Sequence, residues 1–367
     1  MPDETGKRVR AEDLANFCFR VFQKFGVSEQ DARITSDVLV MADLRGIESH
    51  GVARLRRYVN GLHTGVMVAK PKVTVLKETP ATALIDAGAG LGQPVSHQAM
   101  QKAIQKAIEV GAGFVALRNS NHYGIGGYYA MMALEHNCIG MSMTNANALV
   151  VPTFGRDAML GTNPIAVAAP ANKERPFVLD MATSTVPRGK LEVCERQGKP
   201  VPMGWATDER GLGTDDAHRV LENLKKRARG GLLPLGGEGE LLSGHKGYGL
   251  ALWVDVFCAV LSGAAYANLV YPKTPDGKPM PANIGHFFGA WRVDAFRPVN
   301  EFKAAMDDLQ QRLKNAPKAE GQNRIYIHGE KEYEKAEHYG RDGIPINPKV
   351  VEDLKAIAEE MDVKWDL

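Results

Sequence analysis

The chain has 367 residues, 44% hydrophobic and 24% charged, and its 45 Lys and Arg against 43 Asp and Glu leave a formal net charge of +2. That length suits two domains or one large one. The balanced charge argues against a nucleic-acid partner or an anionic membrane surface, and the one short basic cluster, "LKKRARGG" at 224–231, reads as a solvated helix end.

Residues 11–64 read as helices. "LANFCFRVFQKFG" has helical periodicity and closes at Gly26; Ser28 caps "EQDARITSDVLVMADLRG"; "VARLRRYVNGLHTG" follows "ESHG". From Val73 the period changes. "KVTVLKE" and "TALIDAG" read as strands, "QPVSHQAMQKAIQKAIEVGA" as an amphipathic helix, and "GFVALRNS", "CIGMSMTN", "PIAVAAP" and "PFVLDMA" as apolar strands. Residues 80–182 therefore form an α/β sheet region. Residues 196–245, rich in glycine, proline and charge, read as a long loop with a short helix near 216–228. "GYGLALWVDVFCAVLSGAAYANLVY" (247–271) has the length of a membrane span, but Asp255 near its middle argues instead for a helix buried in the protein or at a subunit contact. A strand near 286–296, a helix at 299–314, a surface segment at 315–323, a strand "RIYIHG" and a helix at 348–361 complete the chain.

The four cysteines, Cys18, Cys138, Cys194 and Cys258, form no CxxC, and the N-terminus "MPDETGKRVRAEDLA" lacks the apolar core of a signal peptide; a reducing cytoplasm fits both features.

The glycine stretches fail the nucleotide-binding patterns. After Gly124 and Gly126, the third glycine of G-x-G-x-x-G falls on Tyr129; "GAGLGQ" ends in Gln93; "GHKGYG" lacks the spaced glycine of a P-loop. A Rossmann or P-loop reading is thus disfavoured, and Gly124, Gly126 and Gly127 read as residues that let a helix start tightly. No G-x-S-x-G serves a hydrolase, and His50, His122, His245 and His286 have no metal-ligand spacing.

Two histidines stand out. His122 ends a strand after "RNSN", where α/β proteins place reactive groups, and imidazole suits proton transfer near neutrality; it can equally hydrogen-bond the turn. In "ESHGVARLRRY", Ser49 and His50 precede a helix on which Arg54 and Tyr58 share a face, so the guanidinium is a candidate carboxylate clamp or a plain surface charge. Lys246, among glycines at a helix start, is a candidate phosphate contact.

Taken together, "ESHGVARLRRY", "RNSNHYGIGGYY", "MTNANALVVPTFG", "GTNPIAVAAP", "LDMATS", "PVPMGWATDERGLGT", "LLPLGG" and "GHKGYGLAL" resemble, in order and spacing over nearly the whole chain, the malate/L-lactate dehydrogenase family of the second type. That family also includes ureidoglycolate, sulfolactate and diketogulonate oxidoreductases and imino-acid reductases. The resemblance implies an α/β enzyme with a non-Rossmann, three-layer, mixed-sheet nucleotide domain and a mostly helical second domain. Residues 1–75, completed by helical parts of 240–367, would make the helical domain. Residues 76–235 would make the nucleotide domain, open to a strand from 286–296. The resemblance also implies a cytoplasmic, intertwined homodimer, with an active site between the domains that can take residues from the partner subunit.

The same resemblance assigns roles. His122 and His50 match the proton-transfer positions, while Ser49, Arg54 and Tyr58 match the substrate site. Asp180, Met181 and Ala182, His245 and Lys246, and Thr162 and Asn163 match contacts to NAD or NADP. Where the family reads P-G-E, this chain has His328, Gly329 and Glu330; the proline is lost, and backbone contacts are what can survive. The implied reaction is reversible oxidation of a small 2-hydroxy acid, malate or lactate type, to the 2-oxo acid. His122 would be the general base, His50 held by Ser49 would orient the substrate oxygen or relay the proton, and Arg54 would hold the carboxylate. Two other readings stand beside it: a reductase of a cyclic imino acid or another 2-oxo acid, and a non-catalytic nucleotide-binding regulator. Arg188 and Lys190 are candidates for a ribose phosphate or plain surface charges.

Overall fold

The first helices form where the apolar spacing asks for them. In the computed structural model, which describes residues 7–367, strand β1 (Lys7–Val9) leads into α1 (Ala11–Lys24). Residues 1–6, the start of the polar N-terminus and of the 1–75 unit, lie outside the described residues. Leu14, Phe17, Cys18, Val21 and Phe22 fall on one face of α1 and are fully buried, each large apolar side chain stabilising by about 1.5–3 kcal/mol. Gly26, at φ +72°, ends the turn after α1, and Ser28 Oγ accepts from Asp31 N at 3.1 Å to cap α2 (Glu29–Leu44). Helix α3 (Leu55–His63) follows two 3₁₀ turns.

The sheet region then begins, with β2 (Thr74–Glu78), β3 (Thr82–Asp86), α4 (Gly92–Val110), β4 (Ala112–Ser120) and α5 (Gly126–Met132). Next come β5 (Cys138–Thr144), β6 (Ile165–Ala169), β7 (Phe177–Met181), α6 (Arg188–Arg196), β8 (Ala206–Thr207), α7 (Ala217–Lys226) and β9 (Gly231–Leu232). The chain continues through α8 (Gly244–Asp255), a π turn (Val256–Val260) and β10 (Ile284–Arg292). It closes with α9 (Val299–Asn315), α10 (Glu330–Asp342), β11 (Ile344–Ile346) and α11 (Pro348–Glu360).

Seven strands form the central sheet in the order β2-β3-β4-β10-β5-β6-β7. Only β3 and β4 pair in parallel, with α4 making the crossover between them; every other neighbour is antiparallel. Late strand β10 lies in the middle, between β4 and β5, and its alternation splits the core in two. Phe288 and Ala290 join Val115, Leu117 and residues of α4 and α5 on one face. Phe287 joins Ala116, Met143 and Ile165 against Val254 and Cys258 on the other. Helices therefore cover both faces, giving three layers.

A separate apolar cluster joins α1, α2 and α3 to Tyr339, Ile344, Ile346, Leu354, Ile357 and Ala358 near the C-terminus. β1 pairs antiparallel with β11, tying the two ends of the chain together.

Three sequence expectations need correction. "RIYIHG" alternates like a strand, but residues 324–329 form none; only His328 O accepts a strand-like bond, from Val178 N at 3.1 Å, and Gly329 at φ +94° turns the chain into α10. That helix escapes a periodicity search because "EKEYEKAEHYGRD" carries almost no apolar stripe. Of the two readings of 247–271, burial within the chain fails and the subunit contact is left open: α8 ends at Asp255, and Leu250, Leu252, Val256, Val260 and Leu261 are exposed in the single chain. The 196–245 region is more ordered than a long loop, since α7 and the β8–β9 ribbon pack around Val220, Leu221 and Leu232. Among the described residues no helix is long and apolar enough to cross a membrane.

Candidate active site

The site begins at the end of α2. Asp43 is buried, and its carboxylate accepts from Val52 N at 2.8 Å across the two 3₁₀ turns. Gly51 lies directly on that carboxylate, and a Cβ there would come within 1.9 Å of it. The glycine of "SHG" is thus demanded by close approach. Burial pushes the Asp43 carboxyl up to about 8, against the pull of the Val52 amide.

The turn so held presents Ser49, His50 and Arg54. Ser49 Oγ lies 2.8 Å from His50 Nδ1, and Arg54 Nε donates to Ser49 O at 2.6 Å. One helical turn on, the buried Tyr58 hydroxyl lies 2.7 Å from His122 Nδ1, joining α3 to the end of β4. The His50 and His122 rings stack, with centroids 5.5 Å apart and planes 22° from parallel. The structure therefore brings Ser49, His50, Arg54, Tyr58 and His122 into one cleft.

Both imidazoles are held neutral. Burial, then Arg54 and Arg57, pushes His50 down to about 4. Burial, then Arg57, His50, Arg54 and His286, holds His122 well below the usual histidine range. Both rings are half-exposed in the single chain, so they sit in a cleft that water enters, deep among protein atoms.

His286, on central strand β10, fixes the strand end that carries His122. Its Nδ1 lies 2.7 Å from Thr144 Oγ1, its Nε2 lies 2.9 Å from Ser120 Oγ and 3.2 Å from Asn121 O, and its ring stacks on Tyr123 at 4.6 Å. Asn121 Nδ2 donates to Ala89 O and Gly90 O, pinning the next residue.

The glycines after His122 start α5, as the sequence suggests. Gly127 N donates to Asp180 Oδ2 at 2.7 Å, so the carboxylate of β7 caps the helix. Asp180 is reached by water yet surrounded by protein, and its carboxyl is raised by that surround while the Gly127 amide and Arg45 pull it down. Arg45 is itself buried, with its guanidinium 4.6 Å from the Tyr333 ring centre of α10.

The other sequence-assigned cofactor residues divide into those left open to solvent and those whose side chains are consumed within the chain. Met181, Ala182 and Thr162 are half-buried, and Thr162 O accepts from Thr183 N at 2.8 Å. Leu235 N donates to Thr183 O, and Gly247 of α8 packs on Leu235, which carries the exposed His245 and Lys246 to the same border. Asn163 is different: its side chain is buried, with Oδ1 accepting from Ala146 N and Nδ2 donating to Ala251 O and Asp255 Oδ1. The Glu330 carboxylate is likewise consumed within the chain, by Lys314, Arg324 and Ile327 N. His328 is exposed and Gly329 packs on Val178. Among the described residues no group of three or more His, Cys, Asp or Glu side chains is placed to hold a metal ion.

Sequence reasoning passed over Asp43 and Arg57 and weighed His286 only as a metal ligand. Arg57 is half-buried in the first turn of α3, three residues after Arg54, and its guanidinium hydrogen-bonds the Tyr271 hydroxyl. Its i+3 spacing from Arg54 was a visible sign; nothing in the sequence marks Asp43 or His286, whose partners are distant along the chain.

This geometry is matched by kinship. A family model described as malate/L-lactate dehydrogenase matches residues 9–355. The chain belongs to that family. It is 48% identical over 362 residues to malate dehydrogenase of Pyrococcus abyssi, covering 99% of this chain and 97% of that one. It is 39% identical to L-sulfolactate dehydrogenase of Methanocaldococcus jannaschii, covering 96% and 97%. The solved structure of malate dehydrogenase from Pyrococcus horikoshii superposes with a TM-score of 0.88 at 47% identity, covering 99% of this chain and 97% of that one.

Proposed function

We propose that this member of the dehydrogenase family reversibly oxidises a 2-hydroxy acid of the malate type to the 2-oxo acid, using NAD or NADP. The observation that carries the reading is the stacking of His50 on His122 at 5.5 Å, with Tyr58 on His122 Nδ1 and Arg54 beside them. Neutral imidazoles beside guanidinium groups are what a base for an anionic alcohol needs.

With Nδ1–H donated to the Tyr58 oxygen, His122 keeps its Nε2 lone pair for the substrate hydroxyl. In oxidation His122 takes the hydroxyl proton; in reduction it returns it. His50, held by Ser49, orients the substrate oxygen. Arg54, tethered to Ser49 O, grips the carboxylate and steadies the negative charge that develops on the reacting oxygen. The nicotinamide, when bound, accepts or returns the hydride at the substrate carbon.

The residues present fit such a cofactor. Lys246 and His245 are exposed in the first turn of α8, where helix amides and a cation suit a pyrophosphate. Thr162, Asp180, Met181 and Ala182 would border the ribose and nicotinamide. Asn163 and Glu330 would act through the backbone positions they brace, as would His328 and Gly329. We assign the cofactor to a non-Rossmann sheet, since a single parallel pair departs from the mostly parallel dinucleotide fold. The division into a helical domain, 1–75 with helical parts of 240–367, and a nucleotide domain, 76–235 with β10, has the separate cores as its support. The exposed apolar residues of α8 and its π turn support a homodimer, and four free cysteines fit a cytoplasmic protein.

The test is absorbance of the reduced nicotinamide with malate, lactate, sulfolactate and ureidoglycolate, each with NAD and NADP, and with a cyclic imine in the presence of NADH and NADPH. Oxidation of malate well above lactate is expected. Turnover of the imine alone overturns the reading.

A further inference from the structure

Arg57 has an arrangement that a structural surface arginine does not need. Its guanidinium hydrogen-bonds the Tyr271 hydroxyl and lies 5.3 Å from the centre of the same ring. Tyr271 holds a left-handed backbone, φ +59°, which a bulky side chain rarely adopts. That conformation is secured by Tyr271 N donating to Ala282 O and by Arg227 donating to Tyr271 O at 3.2 Å. A strained tyrosine is thus spent on holding one guanidinium in place beside the catalytic histidines.

The charge around it is unbalanced. Among the described residues no carboxylate forms an ion pair with Arg54 or Arg57; Glu192, whose charge is felt at Arg54, is paired with Arg188 at 3.0 Å. The imidazoles of His50 and His122 are neutral, so the cleft wall presents two fixed positive charges. The two are also anchored apart. Arg54 is tied to Ser49 on the His50 side, and Arg57 to Tyr271 in the segment before β10. Arg54 ends the 3₁₀ turn before α3, and Arg57 lies three residues on, within the first turn of α3. A single carboxylate saturates one guanidinium with two parallel bonds and leaves the other cation without a partner as water is expelled.

We propose that Arg57, set by Tyr271, binds a second acidic group of the substrate, so that the site selects 2-hydroxy acids bearing a further carboxylate or sulfonate over simple monoacids. This rests on the dehydrogenase reading above. Arg54 takes the carboxylate next to the reacting carbon, and Arg57 takes the distal acid.

The experiment compares kcat/KM for malate and lactate in the wild type, Arg57→Met and Tyr271→Phe. Arg57→Met is expected to lower the malate value roughly a hundredfold, mainly through KM, and the lactate value by less than about threefold. Tyr271→Phe keeps the ring, loses the hydrogen bond and moves the malate-to-lactate ratio the same way by about five- to tenfold. Equal losses on both substrates, or an unchanged ratio, overturn the proposal. If Arg57→Met fails to fold, the Tyr271→Phe ratio decides alone. A wild-type protein that oxidises neither acid removes the dehydrogenase reading and this inference with it, an outcome distinct from any change in ratio.

Discussion

The helical unit and the sheet contribute to the cleft in different ways. From the turn between α2 and α3 come Ser49, His50 and Arg54, and from α3 Tyr58, with Arg54 exposed and only Tyr58 fully buried. From the sheet comes His122, on a strand end locked by His286, Thr144, Ser120 and Asn121, which are all buried and all hydrogen-bonded. The sheet offers a rigid, polar-satisfied post; the helical unit brings cations and hydroxyls to it. The Tyr58 hydroxyl, 2.7 Å from His122 Nδ1, links the two at the site. In the proposed reaction the chemistry would be coupled to how the helical cluster packs against the sheet.

The largest effect expected from breaking that arrangement is on the sheet side. His122→Ala should reduce kcat by about a thousandfold while titration of NAD or NADP fluorescence gives an unchanged dissociation constant. Near-normal turnover would move the proton-transfer role to His50. Gly51→Ala and Gly140→Ala then contrast the units. A Cβ at Gly51 meets the Asp43 carboxylate and one at Gly140 meets Ala130 O at 2.1 Å, so each should cost about 2 kcal/mol in urea unfolding. Only Gly51→Ala should also depress kcat/KM of the folded fraction, because only it shifts Ser49 and His50. Equal activity in the two variants would show that the turn tolerates displacement.

A smaller change is expected for Tyr58→Phe, which cuts the link between the units: about a tenfold loss in kcat, with KM nearly constant. A loss confined to KM would assign the hydroxyl to substrate binding instead.

The subtlest contrast is in pH. His286 is pushed down to about 3 and His50 to about 4, so between those values and about 6.5 the unfolded chain binds protons the native one does not, and stability rises with pH. Asp43 has the opposite sign. Raised to about 8, it keeps its proton in the native state after the unfolded carboxyl has lost it, so its contribution falls as pH rises from about 4 to about 8. Above pH 6.5 only the Asp43 effect remains of these three. The Tm of Asp43→Asn relative to the wild type should therefore climb between pH 6.5 and 8; a constant difference would mean that Asp43 ionises normally.

Much of this molecule is readable from local pattern. The α1 face, the Ser28 cap, the Gly26 stop and the strands from β2 to β7 follow from periods of 3.6 and 2 and from residue-specific turn chemistry, all of which act within a few residues. The family, too, is legible in ordered motifs, and so are His50, Arg54, Tyr58 and His122 as candidates. Tertiary structure decided the rest. Whether His122 faces a turn or a substrate depends on Tyr58, 64 residues away. Asp180 became the cap of α5 only when β7 reached the sheet edge, and α10 exists through ion pairs and Tyr333 contacts that leave no apolar stripe. Arg57 looked like another charge in "RLRRY" until Tyr271, more than two hundred residues on, fixed its direction. Short-range sterics and hydrogen bonding write elements into the sequence; the meeting of charges and imidazoles is written only where distant elements pack, because Coulomb and desolvation energies depend on separation in space and not along the chain.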